Sequence, residues 1–179
     1  LVHRPSPNAD ERPGAAGVDL LVVHNISLPP GEFGGRCIDD LFLNRLDPGA
    51  HPYFAAIADL RVSSHLLIRR NGGAVQYVAL DHRAWHAGPS IFCGRERCND
   101  YSIGIELEGS DDQPFADAQY RTLTALSERI RKIFPAISSE RVVGHSDIAP
   151  GRKTDPGPHF DWARYRADLT VTGGNREPG

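Results

Sequence analysis

A proline- and glycine-rich stretch, Arg141 to His159 (RVVGHSDIAPGRKTDPGPH), contains the side chains best suited to chemistry. It brings His145, Lys153 and Asp155 into one short segment. Imidazole and carboxylate groups bind zinc in proteins, and an ammonium group can neutralise a developing negative charge. The apolar residues before His145 predict a buried strand, with the histidine at its end. A histidine and an aspartate in one loop are a weak metal signal by themselves, so another part of the chain must strengthen it.

A second histidine follows an apolar run near the start of the chain. Val18 to His24 (VDLLVVH) predicts a central strand covered on both faces, and His24 stands where that strand is expected to end. Taken alone, such a histidine is most simply a hydrogen-bonded residue at a strand end. The strand before His145 ends in the same way, so the two imidazoles can meet at one edge of a sheet. Together with Asp155 they make three ligands with an open position, which is typical of catalytic zinc.

A carboxylate that can act as a base lies in an alternating segment, Ser102 to Glu108 (SIGIELE). Its isoleucines and leucine point to one face, while Glu106 points to the other. A desolvated carboxylate without a partner is costly, so Glu106 either faces water or serves a site. A metal-bound water would give it a role as general base.

Other segments supply the elements that must position these residues. Asp117 to Phe134 predicts an amphipathic helix capped by Asp117, and Asp161 to Leu169 predicts a shorter helix. Arg61 to Val78 predicts two strands joined at an Asn-Gly-Gly turn. Residues 1–17 predict an extended arm without regular structure, and residues 170–179 a flexible tail.

Three further features leave alternatives open. Asn25 to Pro52 has glycine and proline at both ends, which suits either a mobile lid or an ordinary surface excursion. We expect its short apolar patch to bury little area. His65, inside a predicted strand, is expected in the core rather than at a metal. Trp85, His86 and Gly88 form an aromatic loop that either stacks on a sugar or plugs the core.

Length and composition limit the function classes. A chain of 179 residues fits one domain, and a formal net charge of -3 argues against a broad nucleic-acid surface. No apolar run approaches the ~18 residues of a membrane-spanning helix. Cys37, Cys93 and Cys98 form an odd set unlike a secreted disulfide framework, although Cys93 and Cys98 can pair. With no recognisable leader, these features favour a cytoplasmic location.

The combined motifs resemble the zinc amidases of bacterial cell-wall recycling, within the wider family of amidase-type phage lysozymes and peptidoglycan recognition proteins. The motifs are LLVVHNISLPPGEFGG (20–35), HPYFA (51–55), RAWHAG (83–88), GRERCNDYSIGIELEG (94–109) and GHSDIAPGRKTDPGP (144–158). The resemblance covers nearly the whole chain. It implies a single α/β domain over residues 1–179, with a mixed central β-sheet flanked by α-helices and zinc on one side of the sheet.

The resemblance also implies an activity and a ligand set. The activity is hydrolysis of the amide between the lactyl group of 1,6-anhydro-N-acetylmuramic acid and L-alanine of the stem peptide. One zinc ion per chain is held by His24, His145 and Asp155, with Glu106 as the catalytic glutamate and Lys153 as the nearby cation. Many relatives have cysteine at the position of Asp155, which implies a harder and less zinc-selective site here.

Substrate contacts are implied in the same way. Arg61 and Arg97 resemble positions that hold carboxylates of the peptide, and Asn25 and Trp85 resemble the sugar side. Tyr53 corresponds most nearly to a tyrosine that some relatives use near the metal, and its role stays open. The expected partner is an anhydro-muropeptide, with neither nucleic acid nor membrane insertion. Nothing in the sequence predicts the oligomeric state.

Two rival functions remain to be weighed. The first is a binding-only module of the same fold, which would capture muropeptides without cleaving them. The presence of all three ligands and of Glu106 argues against it. The second is a zinc peptidase that cuts within the stem peptide, and the chemical nature of the released fragments distinguishes it from an amidase.

Overall fold

A computed structural model describes residues 1–14 and 17–173 of the chain. The strands of this described part, in chain order, are β1 (Val2–His3), β2 (Ala9–Glu11), β3 (Leu20–Ile26), β4 (Leu66–Ile68), β5 (Ala74–Gln76), β6 (His82–Ala84), β7 (Ile91–Phe92), β8 (Arg95–Glu96), β9 (Ser102–Glu108) and β10 (Val142–Gly144). Its α-helices are α1 (Cys37–Phe42), α2 (Asp117–Ile133), α3 (His145–Ile148) and α4 (Trp162–Gly173).

A six-stranded mixed sheet in the order β1-β5-β4-β9-β3-β10 organises the molecule. Neighbouring strands are parallel except for β4 and β5, which form the predicted hairpin. The pairs β2 with β6 and β7 with β8 are separate antiparallel ribbons. Strands β3 and β9 are each seven residues long and lie at the centre, where parallel strands are covered on both faces. The predicted mixed sheet flanked by helices is confirmed.

Alternation along the central strands gives each face its own role. Leu21 and Val23 pack with Ile103 and Ile105 against α2 and α4 in the largest apolar cluster. The residues between them point to the opposite face, where the register places His24 directly beside Glu106. The period of two therefore delivers the polar side chains of both strands to one side of the sheet.

Helix α2 is the scaffold that its sequence predicts, with one change at its start. Its apolar stripe packs on the sheet, except for Ile133, which is exposed. The N-cap is Ala116 rather than the predicted Asp117, and the side chain of Gln119 accepts a hydrogen bond from the Ala116 backbone at 3.0 Å. A glutamine at the third position of the helix therefore satisfies the backbone donor of the N-cap residue.

The prediction that residues 1–17 contain no regular structure is wrong. Strand β1 extends the sheet beside β5, and β2 pairs with β6. The arm satisfies otherwise open edges of both strands, an interaction between distant segments that local composition does not reveal. At the other end, α4 continues to Gly173, beyond the predicted stop at Leu169. The rest of the predicted tail, residues 174–179, lies outside the described part.

The segment between β3 and the hairpin is more firmly packed than expected. Ile38, Leu41 and Phe42 of α1 are buried in a second apolar cluster. Asp39 is also buried and accepts hydrogen bonds from Arg4, Arg69 and Tyr77. The expectation that this patch buries little area is wrong, because its polar edge and its apolar face are both anchored to the sheet.

Two other expectations have clear outcomes. His65 is a satisfied core histidine, since its Nδ1 accepts the Gly104 N–H at 3.0 Å and its Nε2 donates to the His82 carbonyl at 3.0 Å. The three cysteines are free, so the optional pairing of Cys93 with Cys98 is absent. Among the described helices, none combines the length and apolar character needed to cross a membrane.

Candidate metal centre and active site

Two histidines and an aspartate converge at one edge of the sheet. His24 lies in β3, two residues before its end rather than at the predicted terminus, and His145 begins α3 immediately after β10. The two strands are parallel neighbours, which brings the imidazoles together. Their Nδ1 atoms are 3.0 Å apart, and each is 3.0 Å from Oδ2 of Asp155. These three side chains form a group that can hold a metal ion.

The segment carrying Asp155 is fixed against β10. The backbone N–H of Ser146 donates to the Asp155 carbonyl at 2.9 Å. Pro156 lies so close to the strand that a Cβ on Gly144 would be 2.8 Å from its Cδ. A glycine at this position therefore permits the close approach that brings the carboxylate to the two histidines.

Hydrogen bonding shows that the donor set fits a cation. His145 Nε2 faces the Ala87 carbonyl at 3.0 Å and must carry a proton, which leaves a lone pair on Nδ1. The other ring nitrogen of His24, Nε2, does not face Asp155 and is 2.9 Å from His86 Nδ1. When His24 carries its proton on Nε2, two lone pairs and a carboxylate oxygen face each other, an arrangement that a cation stabilises. Zinc ligands at about 2.0 to 2.1 Å in tetrahedral geometry lie about 3.4 Å apart, so the observed spacing needs little adjustment.

The electrostatics of the cluster favour the protonation states in which His24 and Asp155 can bind a metal ion. Burial lowers the pKa of His24 to about 4, helped by His145 and opposed by Asp155. Burial raises the pKa of Asp155, but hydrogen-bonding contacts with His145 and His24 outweigh it and hold that pKa well below its ordinary value. Near neutral pH the site therefore contains a neutral imidazole at His24 and a carboxylate, which are the forms that bind metals.

Glu106 lies beside the cluster without a hydrogen-bond partner for one oxygen. It is 8% exposed, and its Oε2 is buried and unpaired among the described residues. Burial raises its pKa well above the ordinary value, Asp155 adds to this effect, and Lys153 opposes it. An unpaired buried carboxylate is costly, and such a group in a cleft beside a metal-type cluster is suited to accept a proton.

A cavity of about 690 Å³ opens over these groups. Six of the predicted site residues line it: Asn25, Trp85, Glu106, His145, Lys153 and Asp155. Apolar side chains from α1 and nearby loops, including Leu41 and Phe42, form part of its wall, and Tyr53 lies at its rim with 45% exposure. The cavity therefore combines an apolar wall with a few convergent polar groups, as small-molecule sites usually do.

Two of the predicted substrate contacts lie elsewhere. The Arg61 guanidinium is within 3.4 and 3.5 Å of the carbonyls of Ala58 and Leu60, outside the cavity lining. Arg97 lines a separate cavity of about 440 Å³, which Trp85 also lines, and forms an ion pair with Asp100 at 3.1 Å. Local backbone and acidic partners therefore hold both arginines away from the main cavity.

Trp85 and Asn25 are positioned by other polar groups. The Trp85 indole N–H donates to Asp10 at 3.1 Å, which ties the predicted arm to the cavity wall. The Asn25 amide donates to Asp111 at 2.6 Å and to the Pro156 carbonyl at 3.0 Å. Trp85 is half-buried and lines the cavity.

Sequence reasoning missed the part that His86 plays beside the cluster. Its motif places it in an aromatic loop with Trp85, whereas its ring contacts His24 across 62 positions of the chain. Burial lowers the pKa of His86 well below the ordinary value, with neighbouring histidines adding to the effect. The only local signal was a histidine in the RAWHAG motif, and no periodicity links that loop to β3.

Comparison with known proteins identifies the family. The family model described as N-acetylmuramoyl-L-alanine amidase matches residues 14–158. The 1,6-anhydro-N-acetylmuramyl-L-alanine amidase AmpD of Enterobacter cloacae is 60% identical over 170 residues, covering 95% of this chain and 90% of that protein.

Solved structures agree with this match. The crystal structure of a Se-Met AmpD derivative superposes with a TM-score of 0.92 at 60% identity and 94% coverage of both chains. The amidase AmiD from E. coli, solved in complex with the substrate anhydro-N-acetylmuramic acid-L-Ala-D-gamma-Glu-L-Lys, has a TM-score of 0.64 at 32% identity, covering 92% of this chain and 60% of that one. The chain therefore belongs to the N-acetylmuramoyl-L-alanine amidase family.

Proposed function

We propose that the protein is a zinc-dependent N-acetylmuramoyl-L-alanine amidase that cleaves the lactyl–L-alanine amide of 1,6-anhydro-muropeptides during bacterial cell-wall recycling. The AmpD relative is named for this bond, and the AmiD structure contains an anhydro-muropeptide. The observation that carries the proposal is the convergence of the three ligand atoms next to the unpaired carboxylate of Glu106, beneath an open cavity.

The metal in this proposal is a single zinc ion, which Nδ1 of His24, Nδ1 of His145 and Oδ2 of Asp155 would hold. When bound, zinc polarises the scissile carbonyl and lowers the pKa of water, so that a nucleophile forms at neutral pH. With two nitrogens and one carboxylate oxygen as ligands, such an ion would keep a position for substrate or water. The rest of the chemistry belongs to residues of the chain.

Glu106 acts as the general base and then as the general acid. Its unpaired oxygen takes the proton of the attacking water and returns it to the amine nitrogen of the departing peptide. Lys153, on the wall of the same cavity, neutralises the oxyanion that forms on the carbonyl oxygen. A donor in this role typically contributes about 2.7 to 4 kcal/mol to the transition state.

Substrate recognition is divided between two sides of the cavity. Trp85 and Asn25 face the sugar, with the indole plane held by Asp10. Arg61 directly follows the cavity-lining Leu60, and its side chain is exposed. We assign the carboxylates of the stem peptide to Arg61 and Arg97, each after its side chain leaves its present partners.

The binding-only alternative is less well supported by the site. A binding-only module has no use for an unpaired buried carboxylate beside a metal cluster, because such a group destabilises the fold.

The proposal also places the protein in the cytoplasm, where its free cysteines stay reduced. Fractionation of cells that express the complete gene tests the compartment.

Mass spectrometry of an anhydro-muropeptide after incubation tests the function. The proposal expects free anhydro-N-acetylmuramic acid and an intact stem peptide, and no product with the Glu106→Gln variant. Amino acids released while the lactyl–alanine bond stays intact would instead identify a peptidase. Unchanged substrate that remains bound would identify a binding module.

A further inference from the structure

His86 connects the metal ligand His24 to strand β9. Its Nδ1 is 2.9 Å from His24 Nε2, and the two rings are nearly perpendicular at 87°, with centroids 5.0 Å apart. On its other side, its Nε2 is 3.1 Å from the hydroxyl of Ser102. The imidazole therefore bridges a residue of the central strand and the far side of a metal ligand.

This bridge can be hydrogen-bonded in two directions, and only one is compatible with metal binding. A metal at His24 Nδ1 requires a lone pair there, so the proton must lie on Nε2 and be donated to His86 Nδ1. His86 then carries its own proton on Nε2 and donates it to Ser102. In the reverse direction His86 donates to His24, which places a proton on His24 Nδ1 and blocks the ligand position.

The strand has a specific place for the His86 ring. A Cβ on Gly104 would lie 2.5 Å from both Cγ and Nδ1 of His86, closer than any real contact. Only glycine allows the ring to lie against this strand. On the same residue, the backbone N–H and carbonyl of Gly104 are both hydrogen-bonded to His65, which fixes the strand at this point.

We propose that His86 is a positioning residue of the metal centre, which accepts the Nε2–H of His24 and so keeps its Nδ1 lone pair directed at the metal. Gly104 gives the ring its position, and Ser102 accepts its remaining proton. The inference rests on the proposed zinc site. Hydrogen-bond partners behind metal-bound histidines commonly change metal affinity by about 10- to 100-fold when removed. Here the partner is a second imidazole rather than a carboxylate or a carbonyl.

The test measures zinc affinity by competition with a chromophoric chelator, using the purified full chain after removal of metal. His86→Leu keeps a similar volume without an acceptor, and His86→Asn places an amide oxygen near the position of Nδ1. We expect the leucine variant to bind zinc about 10- to 100-fold more weakly and the asparagine variant to recover most of the loss. His82→Leu, at an exposed histidine, is the matched control and should bind zinc as the wild type does.

The outcomes separate this inference from the proposed function. Wild-type protein that binds no zinc would refute the zinc site itself, whereas wild-type binding with unchanged affinity in a folded His86→Leu variant would refute only the role of His86. If that variant does not fold, nitrogen-15 NMR of the zinc-loaded wild type decides. A hydrogen-bonded proton on Nε2 of His24 and an unprotonated Nδ1 on His86 are expected. A proton on His86 Nδ1 would overturn the proposal.

Discussion

Replacing Glu106 with glutamine should remove activity and stabilise the metal-free protein at the same time. The amide has nearly the shape of the carboxylate but cannot accept the proton of water. Loss of a general base typically lowers kcat by about 10²- to 10⁴-fold. The stabilisation follows from the buried, unpaired oxygen, which raises the pKa of Glu106 well above its ordinary value.

The sign of the stability change depends on pH. In the unfolded chain Glu106 ionises above pH 4.5, whereas in the folded protein it holds its proton to a higher pH. The folded state then binds more protons, so the wild type loses stability relative to the variant as pH rises above 4.5. Each unit of pKa shift corresponds to about 1.36 kcal/mol, or about 3 to 5 °C in Tm for a chain of this size.

Thermal unfolding of metal-free wild type and Glu106→Gln between pH 4 and 8 measures this difference, and product formation by the zinc-loaded proteins measures kcat. Glu108→Gln is the matched control on the same strand and face. Glu108 is already paired with Arg69 at 3.0 Å and with the backbone of Gly34 and Arg70, so its replacement should cost stability and spare kcat. Wild-type turnover in Glu106→Gln, or a loss of stability at pH 7, would refute the reasoning.

Three other predictions concern groups around the site. Lys153→Met should lower kcat by about 10²- to 10³-fold while zinc content, measured by elemental analysis, stays at the wild-type level. Asp10→Ala removes the acceptor of the Trp85 indole N–H, so steady-state kinetics should show a higher KM with a smaller change in kcat. Burial lowers the pKa of His65 to about 3, so below pH 6.5 the unfolded state binds a proton that the folded state does not. The free energy of unfolding of the wild type should therefore fall by about 1.4 kcal/mol per pH unit between pH 6.5 and about pH 3. The His65→Asn variant can still accept the Gly104 N–H, and denaturant unfolding should show that its free energy of unfolding falls less steeply with decreasing pH. A slope equal to that of the wild type would contradict the assignment of this pH dependence to His65.

Several elements were predictable because their signals are local. The alternation of Ser102 to Glu108 predicted β9 and the face that bears Glu106, and the stripe of α2 predicted its packing. The turn chemistry at residues 71–73 predicted the hairpin of β4 and β5. The convergence of His24 with His145 followed from two apolar strands that each lead to a histidine.

The parts that sequence did not predict depend on contacts between distant segments. Strands β1 and β2 pair with β5 and β6, which lie more than 60 residues further along the chain. Helix α1 is anchored by a network through Asp39 whose partners lie far apart in the chain. His86 reaches His24 because a glycine in a neighbouring strand leaves room for its ring. Such features have no periodicity of their own, so they become visible only in the folded chain.

The most direct test of the central claim, that one zinc ion per chain is required for amidase activity, is a titration of that activity with zinc. The purified protein is dialysed against a chelator, zinc is added back in fractions of an equivalent, and cleavage of an anhydro-muropeptide at the lactyl–alanine bond is followed by mass spectrometry. The proposed site predicts negligible activity without metal, a linear rise with added zinc and saturation at one equivalent per chain. Full activity in the presence of chelator, with no transition metal detected in the protein, would contradict it.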